Sequence, residues 1–343
     1  MNKLTSIAVA LIAITMVPPV WSNVVPSSWG ENEECDDSGG MSPADVLNAK
    51  GFALLEEVCD TDENAMISPF SIYACLGQVW LAAKGETASE LERVLGFDRE
   101  SKPLIRRAIE SWKEVCDATI RTANSLWLSP HTEVNDSYYA AVGKTFGSIF
   151  HSADFSCPKK AAMEINRFVS DATNGKIRQA VDSSDFGGNM RAVIVNALYF
   201  FSKWKDPFLR AKTCPEEFKR PRSFGGFLGG GKKVRMMHGT RKVPYAEWGG
   251  AQAIALPYRS SQFEFMVVLP QKDHSQLEIL KKLSETGLKP LRQAMSRAEV
   301  KISLPKVSVR SRFKLKDVLM RMGVSRQNVH LLGANIHCGR RGG

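Results

Sequence analysis

The stretch that most restricts how this chain can fold runs from residue 64 to residue 97, NAMISPFSIYACLGQVWLAAKGETASELERVLGF. Ser68-Pro69 predicts a helix start. The serine oxygen can accept from an unpaired N–H of the first turn, and proline at the first helical position lacks only a donor that would have no partner there. Ile72, Leu76, Val79, Trp80 and Ala83 then recur at helical spacing, a stripe wide enough to predict deep burial. Lys84-Gly85 ends that helix. Thr87 and Glu90 fit a capping box for a second, short helix, with Leu91, Val94 and Leu95 inward and Gly96 as the stop. Two helices therefore meet across a tight turn.

Around this pair the periodicity keeps changing. Ser42-Pro43-Ala44 starts an earlier helix, with Val46, Leu47, Ala53, Leu54 and Val58 to one side. Residues 104–122 carry a weaker helical pattern, and residues 123–128 read as a strand. Residues 161–173 form a helix with Ile165, Phe168, Val169 and Ala172 on one face, ended by Asn174-Gly175. Residues 192–201, AVIVNALYFF, are nearly all apolar, which predicts a central strand covered on both faces. Asn196 is the one polar residue inside it and is expected in a hydrogen-bonded network rather than a catalytic site.

Residues 220–235, with their glycine cluster, read as a loop. Strands follow at 251–257 and 263–269, then short helices at 276–285 and 288–297. Val300 to Val309 alternate as a strand bent at Pro305. Leu315, Val318, Leu319 and Met322 make a last helix closed by Gly323. Helices and strands mix without a βαβ rhythm, so the class is α+β. The chain's 343 residues suffice for one large domain or two ordinary ones.

The start of the chain predicts secretion. Lys3 precedes an uncharged run from residue 4 to 17, Pro18-Pro19 breaks it, and cleavage is expected after Ser22. The run is shorter than the ~20 residues a spanning helix needs, so no membrane span is expected. In an oxidising compartment the seven cysteines carry more meaning, but they show no CxxC and no regular spacing. Their odd number leaves at least one thiol unpaired or intermolecular, and a disulfide framework is not supported. Cys75 falls on the core helix, where a buried free thiol is expected.

The net charge of +10 is unevenly spread. Residues 23–63 hold eleven acids and one base, residues 203–242 twelve bases and three acids, and residues 301–343 ten bases and one acid. Two basic blocks on a secreted protein suit sulfated glycans or another anionic surface. Neither is an unbroken basic run, so the plainer reading is a solvated face, and no nucleic-acid partner is expected. Asn135-Asp136-Ser137 is the one N-glycosylation acceptor match.

Catalytic and cofactor patterns are missing from the sequence. Residues 226–232 match most of a phosphate-binding loop, but Lys233 stands where a magnesium-binding hydroxyl is needed, and no apolar strand precedes them. No GxGxxG, HExxH or GxSxG is present, and the six histidines are scattered. Catalytic residues, metal ligands and cofactors are accordingly none, and a hydrolase is the weakest reading.

The 64–97 stretch, as NAxISPxSI followed by LAAKGETASELERVLGF, closely resembles the serpins. The likeness recurs in order: Ala123-Asn124; Asn166 with Phe168-Val169; Thr173 to Ile177; Val195 to Phe200 with Trp204 and Pro207-Phe208. It continues through Met236-Met237, Leu256-Pro257-Tyr258, Val268-Leu269-Pro270 and Leu304-Pro305-Lys306, and ends with Leu315 to Leu319 and Met322-Gly323-Val324. The resemblance covers residues 42–324 and implies a serpin fold, three β-sheets ringed by helices. It also implies suicide-substrate inhibition of serine, less often cysteine, endopeptidases. A cleaved reactive loop inserts as a new strand into the large sheet and inactivates the acylated protease. Such a protein is not an enzyme and needs no catalytic residue of its own.

By the same resemblance Ser68, Ser71 and Asn196 match the polar shutter where the sheet parts, and Trp204 matches the tryptophan of the breach where insertion begins. Phe201-Ser202 departs from the usual Lys-Gly before it. In the family a further strand, a hinge, the reactive loop and the closing strands follow the helix ending near Gly323. Residues 325–343 show none of these patterns, so the domain is expected to be C-terminally incomplete and the reactive-site bond absent from this chain. The expected organisation is a signal peptide at 1–22, an acidic segment at 23–41, a partial serpin domain at 42–324 and a divergent tail at 325–343. Alongside the inhibitory lineage stands a second expectation, a non-inhibitory secreted protein binding sulfated glycans or another partner through its basic blocks.

Overall fold

The computed structural model describes residues 43–59, 64–98, 101–113, 118–130, 132–186, 190–218, 232–260, 263–325 and 335–339. The signal segment, the acidic segment, the Ser42 cap and the glycines of 226–231 lie outside the described residues. Chain contacts divide the rest into two compact units, one of residues 41–201 with 309–340 and the other built on residues 202–308. The stretch read as one partial serpin domain therefore holds both, because the chain leaves the first unit at Ser202 and re-enters it at Val309.

The first unit begins with α1 (Pro43–Val58), α2 (Pro69–Ala82), α3 (Gly85–Leu95) and α4 (Ser101–Lys113). It continues with β1 (Ala118–Leu128), α5 (Asp136–Phe146), β2 (Ile149–Ser152), α6 (Pro158–Ala172) and β3 (Ala192–Ser202). α2 starts as its sequence predicts, with the Ser68 side chain accepting from Ser71 N–H. It is buried on more than one side, through Ile72, Tyr73, Ala74, Leu76, Gly77 and Gln78. Gln78 is tolerated there because its amide donates to the Ala74 carbonyl and its oxygen accepts from Ser148 Oγ, both at 2.9 Å.

The start expected at Thr87 comes earlier, with Lys84 at the cap position. α3 opens two residues earlier, at Gly85 with φ +58°, so Thr87 already lies inside the helix. Glu90, on the same helix, accepts the Ser325 backbone N–H at 2.9 Å. Gly96, at φ +68°, ends α3 as read.

β2, β1 and β3 form a three-stranded sheet in that order, with β1 and β2 parallel. β1 starts at Ala118, so the helical pattern read across 104–122 stops at Lys113 and its last residues are strand. β3 was expected to be central and covered on both faces. Among the described residues it lies at the edge of this sheet instead, and of its residues only Val195 and Ala197 are fully buried. α6 packs on the sheet, where Ile165 and Val169 meet Trp127, Phe155, Phe186, Val195 and Ala197. Asn166 secures the segment after α6, accepting from Ala180 and Val181 N–H and donating to the Val181 carbonyl. Thr173 accepts from Ile177 N–H.

β9 (Arg310–Lys314), α9 (Leu315–Arg321) and β10 (Asn335–Gly339) complete this unit. β10 pairs antiparallel with β9, although residues 335–339 show no strand alternation. α9 is tied to α1, Arg321 bonding both the carboxylate and the carbonyl of Glu57 at 2.8 and 2.7 Å. Arg93 on α3 donates to the Gly323 carbonyl at 2.7 Å.

The second unit holds a five-stranded sheet of β4 (Thr213–Phe218), β5 (Lys232–Trp248), β6 (Ala251–Pro257), β7 (Glu264–Pro270) and β8 (Ser296–Pro305). α7 (Gln276–Thr286) and α8 (Lys289–Gln293) lie between β7 and β8. β5 is its spine. Met236 pairs with both Cys214 and Pro305, and Tyr245 with both Ile254 and Ser296. A strand has two edges, so β8 runs along one edge while β4 and β6 share the other at opposite ends. The mixed elements make an α+β fold, with three sheets among the described residues.

Candidate functional site

Each unit positions one group of the residues singled out in the sequence. In the first unit Ser68 and Ser71 meet at the start of α2, their Oγ atoms 2.9 Å apart. Asn196, on β3, donates from Nδ2 to Asn124 Oδ1 at 2.6 Å, and Asn124 donates from Nδ2 to the Phe146 carbonyl at 2.7 Å. The chain of amides thus runs from the edge strand, across β1, to the end of α5. Asn196 Oδ1 is buried with no hydrogen-bond donor against it among the described residues.

No hydrogen bond among the described residues joins the serine pair to Asn196. One turn further along α2, Cys75 lies against the backbone of Asn196. Desolvation pushes its thiol up to about 12, which keeps it a neutral thiol in the folded chain. Tyr73, also on α2, donates to the Leu47 carbonyl, and burial raises its phenol above the ordinary range. The polar group of this region is therefore wider than the three residues that the resemblance supplies. Asn124 belongs to it, and the Ala123-Asn124 motif was the sequence signal for it.

In the second unit Trp204 forms an isolated antiparallel bridge with Tyr258. Their rings stack at 4.8 Å and 7°. Phe265 and Phe208 approach Trp204 edge-on at 5.6 and 6.2 Å. The Arg241 guanidinium lies over Phe208 at 3.7 Å. Desolvation pulls that guanidinium below its ordinary value, with Asp206 opposing. Backbone bonds from Lys205 N–H to the Pro257 carbonyl and from Arg259 N–H to the Lys203 carbonyl fix the segment. Phe201, of the departing Phe201-Ser202 pair, is exposed.

Asn135 caps α5, its Oδ1 accepting from Ser137 N–H at 2.8 Å, and the residue is exposed. The amide nitrogen needed for glycosylation is not used by that cap.

These two groups, an amide relay under an edge strand and an aromatic stack at a strand bridge, sit in an α+β fold of the serpin type. A family model described as serpin (serine protease inhibitor) matches residues 45–327, and the chain belongs to that family. An uncharacterised serpin-like protein of Thermococcus kodakarensis is 31% identical over 82% of this chain and 65% of its own length. Serine protease inhibitor 42Dd of Drosophila melanogaster is 30% identical over 77% of this chain and 70% of its own. Among solved structures, cleaved Serpin 42Da superposes with a TM-score of 0.75 at 26% identity, covering 82% of this chain and 76% of that one. The chain spans about two thirds of the length of the curated relatives it matches. It is a member of an endopeptidase-inhibitor family, not of an enzyme family.

Proposed function

We propose that the protein's lineage activity is suicide-substrate inhibition of serine, less often cysteine, endopeptidases, and that residues 1–343 taken alone do not trap a protease. The observation that supports the first part is the position of β3. It is the outer strand of its sheet among the described residues, the position at which a further strand can be added. The amide of Asn196 anchors that same strand to β1. The second part rests on residues 325–343, which contain no hinge or bait pattern.

The test uses two products with a panel of serine endopeptidases on a denaturing gel. A product carrying a hinge and reactive loop after Val324 gives a covalent complex, and the 343-residue chain gives none. A denaturant-stable complex with the shorter chain would refute the second part. Failure of the longer product with every protease would refute the first. Sequencing transcripts across the codons for Gly323 to Arg326 shows which product the gene encodes.

The same reading includes secretion and a glycan on Asn135. Among the described residues no helix is long and apolar enough to cross a membrane. Material secreted from a eukaryotic host should lose mass on glycosidase treatment, and Asn135→Gln should abolish that loss. A wild-type mass unchanged by glycosidase treatment would remove the proposal.

A second reading, contact with sulfated glycans, is favoured by one observation. Lys203, Lys205, Arg210, Lys212, Lys233 and Arg235 of the 203–242 basic block are all exposed. Elution from heparin should move to higher salt than the net charge alone dictates, and charge reversal at Lys233 and Arg235 should lower it. Elution unaffected by those changes would discard this reading.

A further inference from the structure

Cys214 and Glu216 alternate on β4 and so share one face of the sheet, and β5 places His238 beside them. One ligand atom from each of the three, a sulfur, a carboxylate oxygen and a ring nitrogen, lies within 4.8 Å of the others. We propose that Cys214, Glu216 and His238 form a binding site for a divalent cation of intermediate softness, with Zn²⁺ the best match.

The donor set carries the choice of ion. One thiolate, one imidazole and one carboxylate are the three ligand types that zinc accepts, and calcium or magnesium would favour oxygens only. A thiolate and a carboxylate together balance the charge of a divalent ion. Exposure of Cys214 leaves room for water as the fourth ligand.

The hydrogen bonds show how the metal-free site is held. Glu216 Oε1 accepts from the Cys214 thiol at 3.3 Å and from His238 Nε2 at 2.7 Å. A carboxylate only accepts, so Nε2 bears the imidazole proton, and Nδ1 accepts from Ser303 Oγ at 3.0 Å. Metal uptake needs Nε2 free. The ring proton then moves to Nδ1, and the Ser303 hydroxyl reverses its role and accepts, since a hydroxyl does both. Ser303 sits directly opposite His238 in the β5–β8 register, so either tautomer has a fixed partner. The thiol proton leaves to solvent, and Glu216 exchanges two hydrogen bonds for one metal bond. Donors around a tetrahedral zinc lie about 3.4 Å apart, so Glu216 and His238 must separate slightly, which surface side chains on paired strands can do.

The hydrogen bond to Glu216, with desolvation adding, raises the Cys214 thiol above its ordinary value, a cost that metal binding has to overcome.

The test is Co²⁺ titration of the full, reduced chain, followed by displacement with Zn²⁺. One Co²⁺ per chain should produce a thiolate-to-cobalt charge-transfer band. Cys214→Ser should abolish the band, and Cys157→Ser, which removes another exposed thiol, should leave it intact. His238→Gln should weaken Zn²⁺ binding at least about tenfold, and Ser303→Ala should weaken it about tenfold with the band retained. Circular dichroism of each variant checks that the fold persists. Absence of the band in wild-type chain, or its survival in Cys214→Ser, overturns the proposal.

Discussion

Asn196 on β3 hands its side-chain hydrogen bond to Asn124 on β1 at 2.6 Å, and Asn124 hands one on to the Phe146 carbonyl. The relay is directional, so its two members are not equivalent. Asn196→Ala removes one bond and leaves the Asn124 oxygen without its donor. Asn124→Ala removes both bonds and leaves a buried carbonyl and a buried amide. Each orphaned buried group costs about 1–3 kcal/mol, so Asn124→Ala should destabilise more than Asn196→Ala. Urea denaturation of both single variants and the double variant measures this. Equal losses, or strict additivity, would deny the relay.

Gly77 owes its place in α2 to Phe146. A Cβ added there would stand 2.6 Å from Phe146 Cζ, and that ring is buried at the end of α5. Overpacking of this kind costs about 1–3 kcal/mol, more than the gain in helix propensity from Gly to Ala. Gly77→Ala should therefore lower the urea midpoint. Adding Phe146→Leu should restore part of the loss by freeing the space. A Gly77→Ala chain as stable as the parent would show that α2 and α5 do not meet this closely.

The Cys75 thiol gives the chain an alkaline limit. Its folded value of about 12 stands well above the ~8.5 of an unfolded thiol. Below about 8.5 both states hold the proton and the stability is complete. Above that value only the unfolded chain ionises, so stability falls as pH rises toward about 12, by at most ~1.4 kcal/mol per unit. Cys75→Ala should flatten the decline between about pH 8 and pH 10, whatever other groups add to both chains. The exposed Cys157 and Cys214 should react with a thiol reagent in the folded protein, and Cys75 only after unfolding. Rapid labelling of Cys75 under native conditions would contradict the desolvation of its thiol.

The α2–α3 pair, α6 and α9 were legible because their apolar residues recur at helical spacing and glycines stand close after their ends. β5 was not. Lys232–Trp248 carries Gly239 and Pro244 internally and exposes Lys233, Arg235, Thr240 and Lys242. Its strand character comes from β4, β6 and β8 pairing along both edges, which no local pattern encodes. β4 was hidden for a related reason, holding Pro215, Glu216 and Glu217 within six residues. β2, at four residues, is too short for alternation to register. The serine pair and Asn196 could be picked out by resemblance, yet the partner of Asn196 follows from which strands lie side by side. The Cys214–Glu216–His238 cluster was illegible because His238 is joined to β4 only by strand pairing. Composition has no access to that relationship.

Trp204 holds a strand bridge that has few other supports. Its indole stacks on Tyr258, while the backbone around it makes the Lys205–Pro257 and Arg259–Lys203 bonds. Aromatic pairs add about 0.5–1.5 kcal/mol beyond the area they bury, and truncating a large ring to alanine costs about 3 kcal/mol or more when it is packed. Trp204 is only half-buried, so Trp204→Ala should cost about 2–3 kcal/mol, and Trp204→Phe, which keeps a ring on Tyr258, about 1 kcal/mol. The loss should be local. Amide hydrogen exchange at Lys205 and Arg259 should speed up strongly in Trp204→Ala, with amides of β7 little changed. Unchanged protection at Lys205 would mean that the two backbone bonds hold the bridge without the ring, and Trp204 would then lose its claim to organise this end of the sheet.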